Sequence, residues 1–234
     1  MASEIRLLSG GAAQGLVAQL QERFRAASGC SVQGTFGAVG AMRDKLLAGE
    51  PCDIVILTQQ LVDQLAADGH VLAGSAAALG IVKTGVAVNA GAARPDVSTA
   101  PSLKAALQAA NAIYFPDPVK ATAGIHFMKV LKTLGVDGEL AARLRPFPNG
   151  ATAMREMAQS GDAGAIGCTQ VTEILFAPGV ELVGLLPKEF ELATVYTAAL
   201  CTKAREPQAA REFIALLAGA DAAAARKAGG FEAG

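Results

Sequence analysis

Short apolar runs alternate with helix-length amphipathic stretches along the first third of the chain. Residues 5–8, 31–35 and 53–57 read as strands, and residues 14–27, 40–48 and 60–68 read as helices. In the first helix Leu16, Leu20, Phe24 and Ala27 recur every three or four positions, while Gln19, Glu22, Arg23 and Arg25 cover the opposite face. That is the pattern of a helix packed on a sheet. The strand–helix alternation predicts an α/β fold with a largely parallel sheet.

Beyond Gly80 a long strand, 81–89, leads to Gly91 and Pro95, and the series then restarts. Helices are predicted over 102–110, 123–134 and 152–159, and strands over 112–115, 163–168 and 180–185. Ser102 reads as the N-cap of the first of these helices and Gly135 as the stop of the second. An extended stretch, 193–200, precedes a helix from Pro207 to Leu217, with proline near its first position, and a short Ala-rich helix ends at Gly229-Gly230. The restart predicts a second lobe. Residues 1–82 with 198–234 are expected to form lobe 1 and residues 83–197 lobe 2, with two strands, near 82–88 and 194–199, crossing between them as a hinge.

Four strand-to-helix junctions are built from small residues: Ser9-Gly10-Gly11, the turn from Gly37 to Gly40, Thr122 to Gly124, and Asn149 to Ala151. A helix start at the carboxyl end of a strand presents unpaired amides and the positive end of the helix dipole, which is where open α/β sheets hold anions. Ser9, Gly10, Gly11, the amide of Ala123 and the Asn149-Gly150 turn are therefore candidate donors to one small anionic ligand.

Composition narrows the partners. With 52% hydrophobic and 18% charged residues the chain has ample material for a core. A formal net charge of -1 and the lack of a Lys/Arg run leave no nucleic-acid footprint. No apolar run approaches the roughly 20 residues of a membrane span. The stretch after Met1 enters a strand without a basic segment and apolar core, so the expected location is cytoplasmic, or periplasmic if a signal peptide has been removed. Cys30, Cys52, Cys168 and Cys201 lack zinc-site spacing and read as buried free thiols. A Cys30–Cys52 bridge would need Cα atoms within about 7 Å. No nucleophile elbow, Walker loop or dinucleotide fingerprint occurs, and two histidines without clustered acids argue against a catalytic metal. No cofactor is expected.

Several segments together resemble the type II periplasmic solute-binding fold, and in particular the molybdate-binding proteins of ABC transporters. They are Ile5-Arg6-Leu7-Leu8-Ser9-Gly10-Gly11, Phe36-Gly37-Ala38-Val39-Gly40-Ala41-Met42, the run from Leu47 to Ile56 containing Ala48-Gly49-Glu50-Pro51-Cys52-Asp53, Asp117-Pro118 with Thr122-Ala123-Gly124, and Ala165-Ile166-Gly167-Cys168. The resemblance implies two lobes, each a mostly parallel sheet flanked by helices, closing on a ligand held by hydroxyls and helix-start amides. It also implies a transporter membrane component as partner.

This chain departs from the molybdate pattern where hydroxyls are expected. Ala12 stands at the expected serine, Ala38 and Val39 occupy the turn after the second strand, and Gln170 stands at the expected tyrosine. Arg43, Thr58, Lys120, Thr122, His126, Asn149 and Gln170 offer instead a set suited to carboxylates, since Arg pairs with them bidentately and Lys supplies a point charge. A di- or tricarboxylic acid is thus the expected ligand ahead of molybdate or tungstate. The Gly-Gly turn and Gln170-Val171-Thr172-Glu173-Ile174 also resemble the aconitate isomerases, which implies an alternative: isomerisation of an unsaturated carboxylic acid by proton transfer. His126 and Lys120 are the residues suited to move that proton.

Overall fold

The computed structural model describes residues 3–233. The chain divides into two compact units: the segment up to Val82 together with that from Thr194 onward, and the segment Lys83–Ala193. It passes from one to the other at 82/83 and 193/194.

In the first unit β1 (Glu4–Gly10) lies between β2 (Ser31–Gly37) and β3 (Ile54–Thr58), parallel to both, and β9 (Ala193–Leu200) runs antiparallel to β3. The registers Glu4↔Ser31 and Ile54↔Leu200 align the strands. A 3-10 turn, Gly11–Ala13, joins β1 to α1 (Gln14–Ser28), whose Leu16, Val17, Leu20 and Phe24 face inward. Phe24 meets Phe213 of α9 (Pro207–Ala218) with ring centroids 4.9 Å apart. Helices α2 (Val39–Leu47), α3 (Gln59–Ala67) and the short α10 (Ala223–Ala228) complete the unit.

Asp53 ties these elements together. It is buried, and its carboxylate accepts from the amides of Arg6 (2.8 Å), Arg205 (2.6 Å) and Glu206 (3.1 Å). The backbone adds Asp53 N to Arg6 O and Cys201 N to Asp53 O. One aspartate thereby joins β1, the entry of β3, the exit of β9 and the loop before α9.

In the second unit β5 (Ala112–Pro116) is parallel to β6 (Leu144–Phe147) and β7 (Ala165–Gln170). The distal part of β4 (Ala77–Asn89), a strand that runs on from the first unit, is antiparallel to β7 and to β8 (Val180–Leu185), with a bulge at Val86/Ala87. Helices α4 (Ala100–Ala109), α5 (Thr122–Thr133), the short α6 (Asp137–Leu140), α7 (Gly150–Ser160) and α8 (Val171–Phe176) flank it. Leu103, Leu107, Ile113, Phe115, Phe127 and Leu131 form its larger core.

Pro207 is the first residue of α9, and Gly135, just past α5, adopts the left-handed φ of 67° that ends helices. Ser102 is not the N-cap of α4. Thr99 is, with Ser102 at the third helical position, each hydroxyl serving the other's backbone amide. Pro101 tolerates this register because an amide in the first turn has no helical partner to lose. Cys52 does not face Cys30; its sulfur lies against that of Cys201, while Cys30 contacts Ser3 and the carbonyl of Ser31.

Candidate functional site

The predicted junctions all fall at strand ends followed by helices, and they differ in what already satisfies their amides. At the end of β1, Ser9 is fully buried and its hydroxyl donates to the Gly10 carbonyl at 2.8 Å. Gly10 is there because of close approach. A Cβ would stand 2.8 Å from Val39 Cγ1 and 2.9 Å from Tyr196 Cε1. Gly11 opens the 3-10 turn, and no side chain caps that turn or α1. Gly10, Val39 and Tyr196 thus come together in the first unit, and Tyr196, buried on β9, is a member the sequence reading lacked.

Ala38 is the N-cap of α2 and Val39 its first residue; both are buried, and no side chain caps this helix. Arg43, one turn further on, pairs with Asp44 at 2.8 Å on a half-exposed face. Thr58 is the N-cap of α3, its hydroxyl accepting from the Leu61 amide at 3.4 Å. Ala12 is buried in the core of this unit.

In the second unit α5 begins at Thr122 behind the N-cap Ala121, again without a side-chain cap. Gly124 lets this helix sit against the end of β5, since a Cβ would meet the carbonyl oxygens of Pro116 and Asp117. Asp117 holds the loop by accepting from the amides of Val119 (2.7 Å) and Lys120 (2.8 Å). Thr122 is half-buried, Ala123 buried and Lys120 exposed. His126 Nε2 lies 2.8 Å from the Phe190 carbonyl. Because a carbonyl oxygen can only accept, Nε2 is the donor in that contact.

The start of α7 is already occupied. Asn149 caps it through the Thr152 amide at 2.8 Å. The carboxylate of Glu173, from the first turn of α8, lies over Gly150 and Ala151, accepting from the Ala151 amide at 3.3 Å and from the Thr169 hydroxyl at 2.5 Å. A Cβ on Gly150 would stand 2.0 Å from both Glu173 Oε2 and Thr169 Oγ1. Glycine is needed there to admit the side chain. Glu173 is 5% exposed, and burial pushes its carboxyl above the usual carboxylate range, although bonds from Thr169, Ala151, Gly150 and Gln170 oppose the shift. Beside it the Thr172 hydroxyl is buried without a hydrogen-bond partner among the described residues, and Gln170, the N-cap of α8, is 2% exposed. The sequence reading placed donors at Asn149-Gly150 and left Glu173 without a role; the spacing Gln170-x-x-Glu173 was the available signal.

Among the described residues no group of three or more His, Cys, Asp or Glu is arranged to hold a metal, and no helix is long and apolar enough to cross a membrane. The helix starts of α1, α2 and α5 can therefore offer neutral backbone donors lined by small or apolar side chains.

Comparison with known proteins identifies the family and the fold. The sequence pattern of the family described as bacterial extracellular solute-binding protein matches residues 5–232. Aconitate isomerase from a Pseudomonas species is 29% identical over 232 residues, covering 94% of this chain and 84% of that protein. The periplasmic molybdate-binding protein of Azotobacter vinelandii superposes with a TM-score of 0.81 at 22% identity, covering 98% of this chain and 99% of that one. A sulfate-binding protein from Mycobacterium tuberculosis H37Rv superposes with a TM-score of 0.72 at 16% identity, over 98% and 86% of the two chains.

Proposed function

From the premise that the chain belongs to the bacterial extracellular solute-binding proteins, we propose that it binds a small organic anion, a di- or tricarboxylate, and delivers it to the membrane component of an ABC-type transporter outside the cytoplasm. The observation that carries this reading is the pairing of uncapped helix starts with apolar neighbours. Helices α1, α2 and α5 begin without side-chain caps, so their amides suit an anion. Ala12 and Val39, where a molybdate binder is expected to place hydroxyls, are buried and apolar. A tetrahedral oxyanion offers oxygen on every side and needs donors to match, whereas a carboxylic acid also brings carbon that sits well against such side chains. Candidate donors are Gly10, Gly11, Ala38 and Val39 in the first unit and Thr122, Ala123 and Gln170 in the second, with Arg43, Thr58 and Lys120 as further candidates; the Asn149-Gly150 turn drops out because Glu173 already lies over it.

A panel of di- and tricarboxylates beside molybdate, tungstate and sulfate, followed by thermal unfolding and calorimetry, tests it. A saturable rise in unfolding temperature with one carboxylate class is expected. A rise with molybdate or sulfate and none with any carboxylate would overturn it.

The likeness to aconitate isomerase over 94% of the chain favours a second reading. On it the same anion undergoes allylic proton transfer, with His126 and Lys120 as the proposed proton-moving groups. Proton NMR of trans-aconitate in deuterated buffer decides between the two. Isomer formation or exchange of the carbon-bound proton supports catalysis, and binding with neither leaves transport alone.

A further inference from the structure

The four cysteines are not equivalent. Cys30 sits at the entry of β2, and Cys168 is fully buried in the core of the second unit. Cys52 and Cys201 instead belong to neighbouring antiparallel chain segments, one just before β3 and the other just after β9. The Ile54↔Leu200 register and the bond from Cys201 N to Asp53 O carry the pairing out to them. Their sulfurs are 3.6 Å apart, Cys201 donating to Cys52, and Cys52 in turn donates to the Ile54 carbonyl at 3.0 Å. Both thiols stand in the wall of one cavity of about 250 Å³, with Pro51, His70, Lys203 and Arg205 beside them.

We propose that Cys52 and Cys201 are a latent disulfide pair, closed by exchange with a small-molecule disulfide such as oxidised glutathione that enters this cavity. Cys201 directs its S–H at the Cys52 sulfur, so Cys52 is assigned as the first nucleophile and Cys201 as the resolving thiol. Its thiolate attacks one sulfur of the external disulfide, forming a mixed disulfide and releasing one thiolate. Cys201 then attacks the Cys52 sulfur, forming the internal bond and releasing the second. The two protein sulfurs together lose two electrons, the external disulfide gains them, and the two cysteine protons pass to the released thiolates. In the dithiol the hydrogen bond to Cys52 and burial both raise the Cys201 thiol; in the mixed disulfide burial remains, so the second step accelerates with pH. Lys203 and Arg205 favour an anionic disulfide over a neutral one.

The bond joins positions 149 residues apart. A loop of that length removes much freedom from the unfolded chain and raises the unfolding midpoint by on the order of 10 °C. The linkage lies at the opposite end of β3 from Thr58 and α3, so it acts on stability and not on the helix starts proposed to bind ligand.

The test uses the full reduced chain in buffers of graded oxidised-to-reduced glutathione ratio, quenched in acid, unfolded, alkylated and mapped by mass spectrometry. The expected product is a cross-linked peptide pair containing Cys52 and Cys201, lighter by two hydrogens, with Cys30 and Cys168 still alkylated and a raised unfolding midpoint. In Cys201→Ser the reaction should stop at a glutathione adduct on Cys52. Should that variant not fold, the peptide map of the unaltered chain decides alone. Alkylation of all four cysteines at every ratio, a link through Cys30 or Cys168, arrest of the unaltered chain at the mixed disulfide, or a midpoint that does not rise would each overturn the proposal.

Discussion

Gly10→Ala measures how tightly the first helix start is built. The added methyl would lie 2.8 Å from Val39 Cγ1 and 2.9 Å from Tyr196 Cε1, roughly 0.6–0.7 Å inside the ordinary carbon–carbon separation of about 3.5 Å. Neither neighbour yields easily. Val39 is β-branched in the first turn of α2, and Tyr196 is a buried ring on β9. The backbone itself raises no objection, because Gly10 has φ -56° and ψ 144°, open to any residue. Overpacking of this kind costs about 1–3 kcal/mol, and the reduced freedom of the unfolded chain offsets about 0.4–1 kcal/mol. The net is a loss of about 1–2 kcal/mol, or a midpoint lowered by about 2–8 °C for a chain of this size. Thermal and urea unfolding followed by far-ultraviolet circular dichroism reads it directly. In the double variant Gly10→Ala with Val39→Ala the clash with Cγ1 disappears, so the pair should couple favourably by at least about 0.5 kcal/mol. An unchanged or raised midpoint in Gly10→Ala, or strictly additive effects in the pair, would refute the packing argument.

Two further perturbations probe the polar interior. Glu173 holds its proton more tightly in the folded than in the unfolded chain, so its neutral form contributes stability that is full below the ordinary glutamate range and is lost as pH rises through the folded value. The stability difference between the unaltered chain and Glu173→Gln should therefore shift against the unaltered chain with rising pH, by up to about 1.4 kcal/mol per pH unit; a difference that is flat or grows in its favour contradicts the assignment. Asp53→Ala strips an acceptor from three amides, those of Arg6, Arg205 and Glu206, at about 1–3 kcal/mol each, with Asp53→Asn intermediate because one oxygen remains. Urea midpoints of Asp53→Ala within about 1 kcal/mol of the parent would show that the latch is not needed.

Helix boundaries were legible wherever a local rule decides them. Pro207 and Gly135 each act within one turn of their own position, whereas the cap at Asn149 escapes the pattern and the helix it starts is predicted two residues late. Thr99 and Ser102 show the limit: both are good caps, and only Pro101, able to sit inside the first turn without a lost bond, separates them. The strand-to-helix junctions were legible as helix starts, but which of them lack a side-chain cap was not. Ser9 spends its hydroxyl on its neighbour's carbonyl, and the start of α7 receives Glu173 from 22 residues downstream. Such partners depend on strand order, as do Tyr196 over Gly10 and Cys201 against Cys52. Asp53 was quoted as part of a family motif; its three amide partners give that motif a structural reason.

The discontinuity of the first unit governs how the protein must be made. Strand β3 obtains its antiparallel partner β9 only after the whole of Lys83–Ala193 has been synthesised, and the amides of Arg205 and Glu206 that lock Asp53 emerge later still. Until then Ile54–Leu57 presents an apolar strand edge to the surrounding solution, the kind of edge that pairs with other chains. The inserted second unit, contiguous in sequence, has no such wait. A ribosome stalled within it carries a nascent chain whose unpaired edge, residues 54–58, lies near the beginning, far in sequence from the segment that completes it.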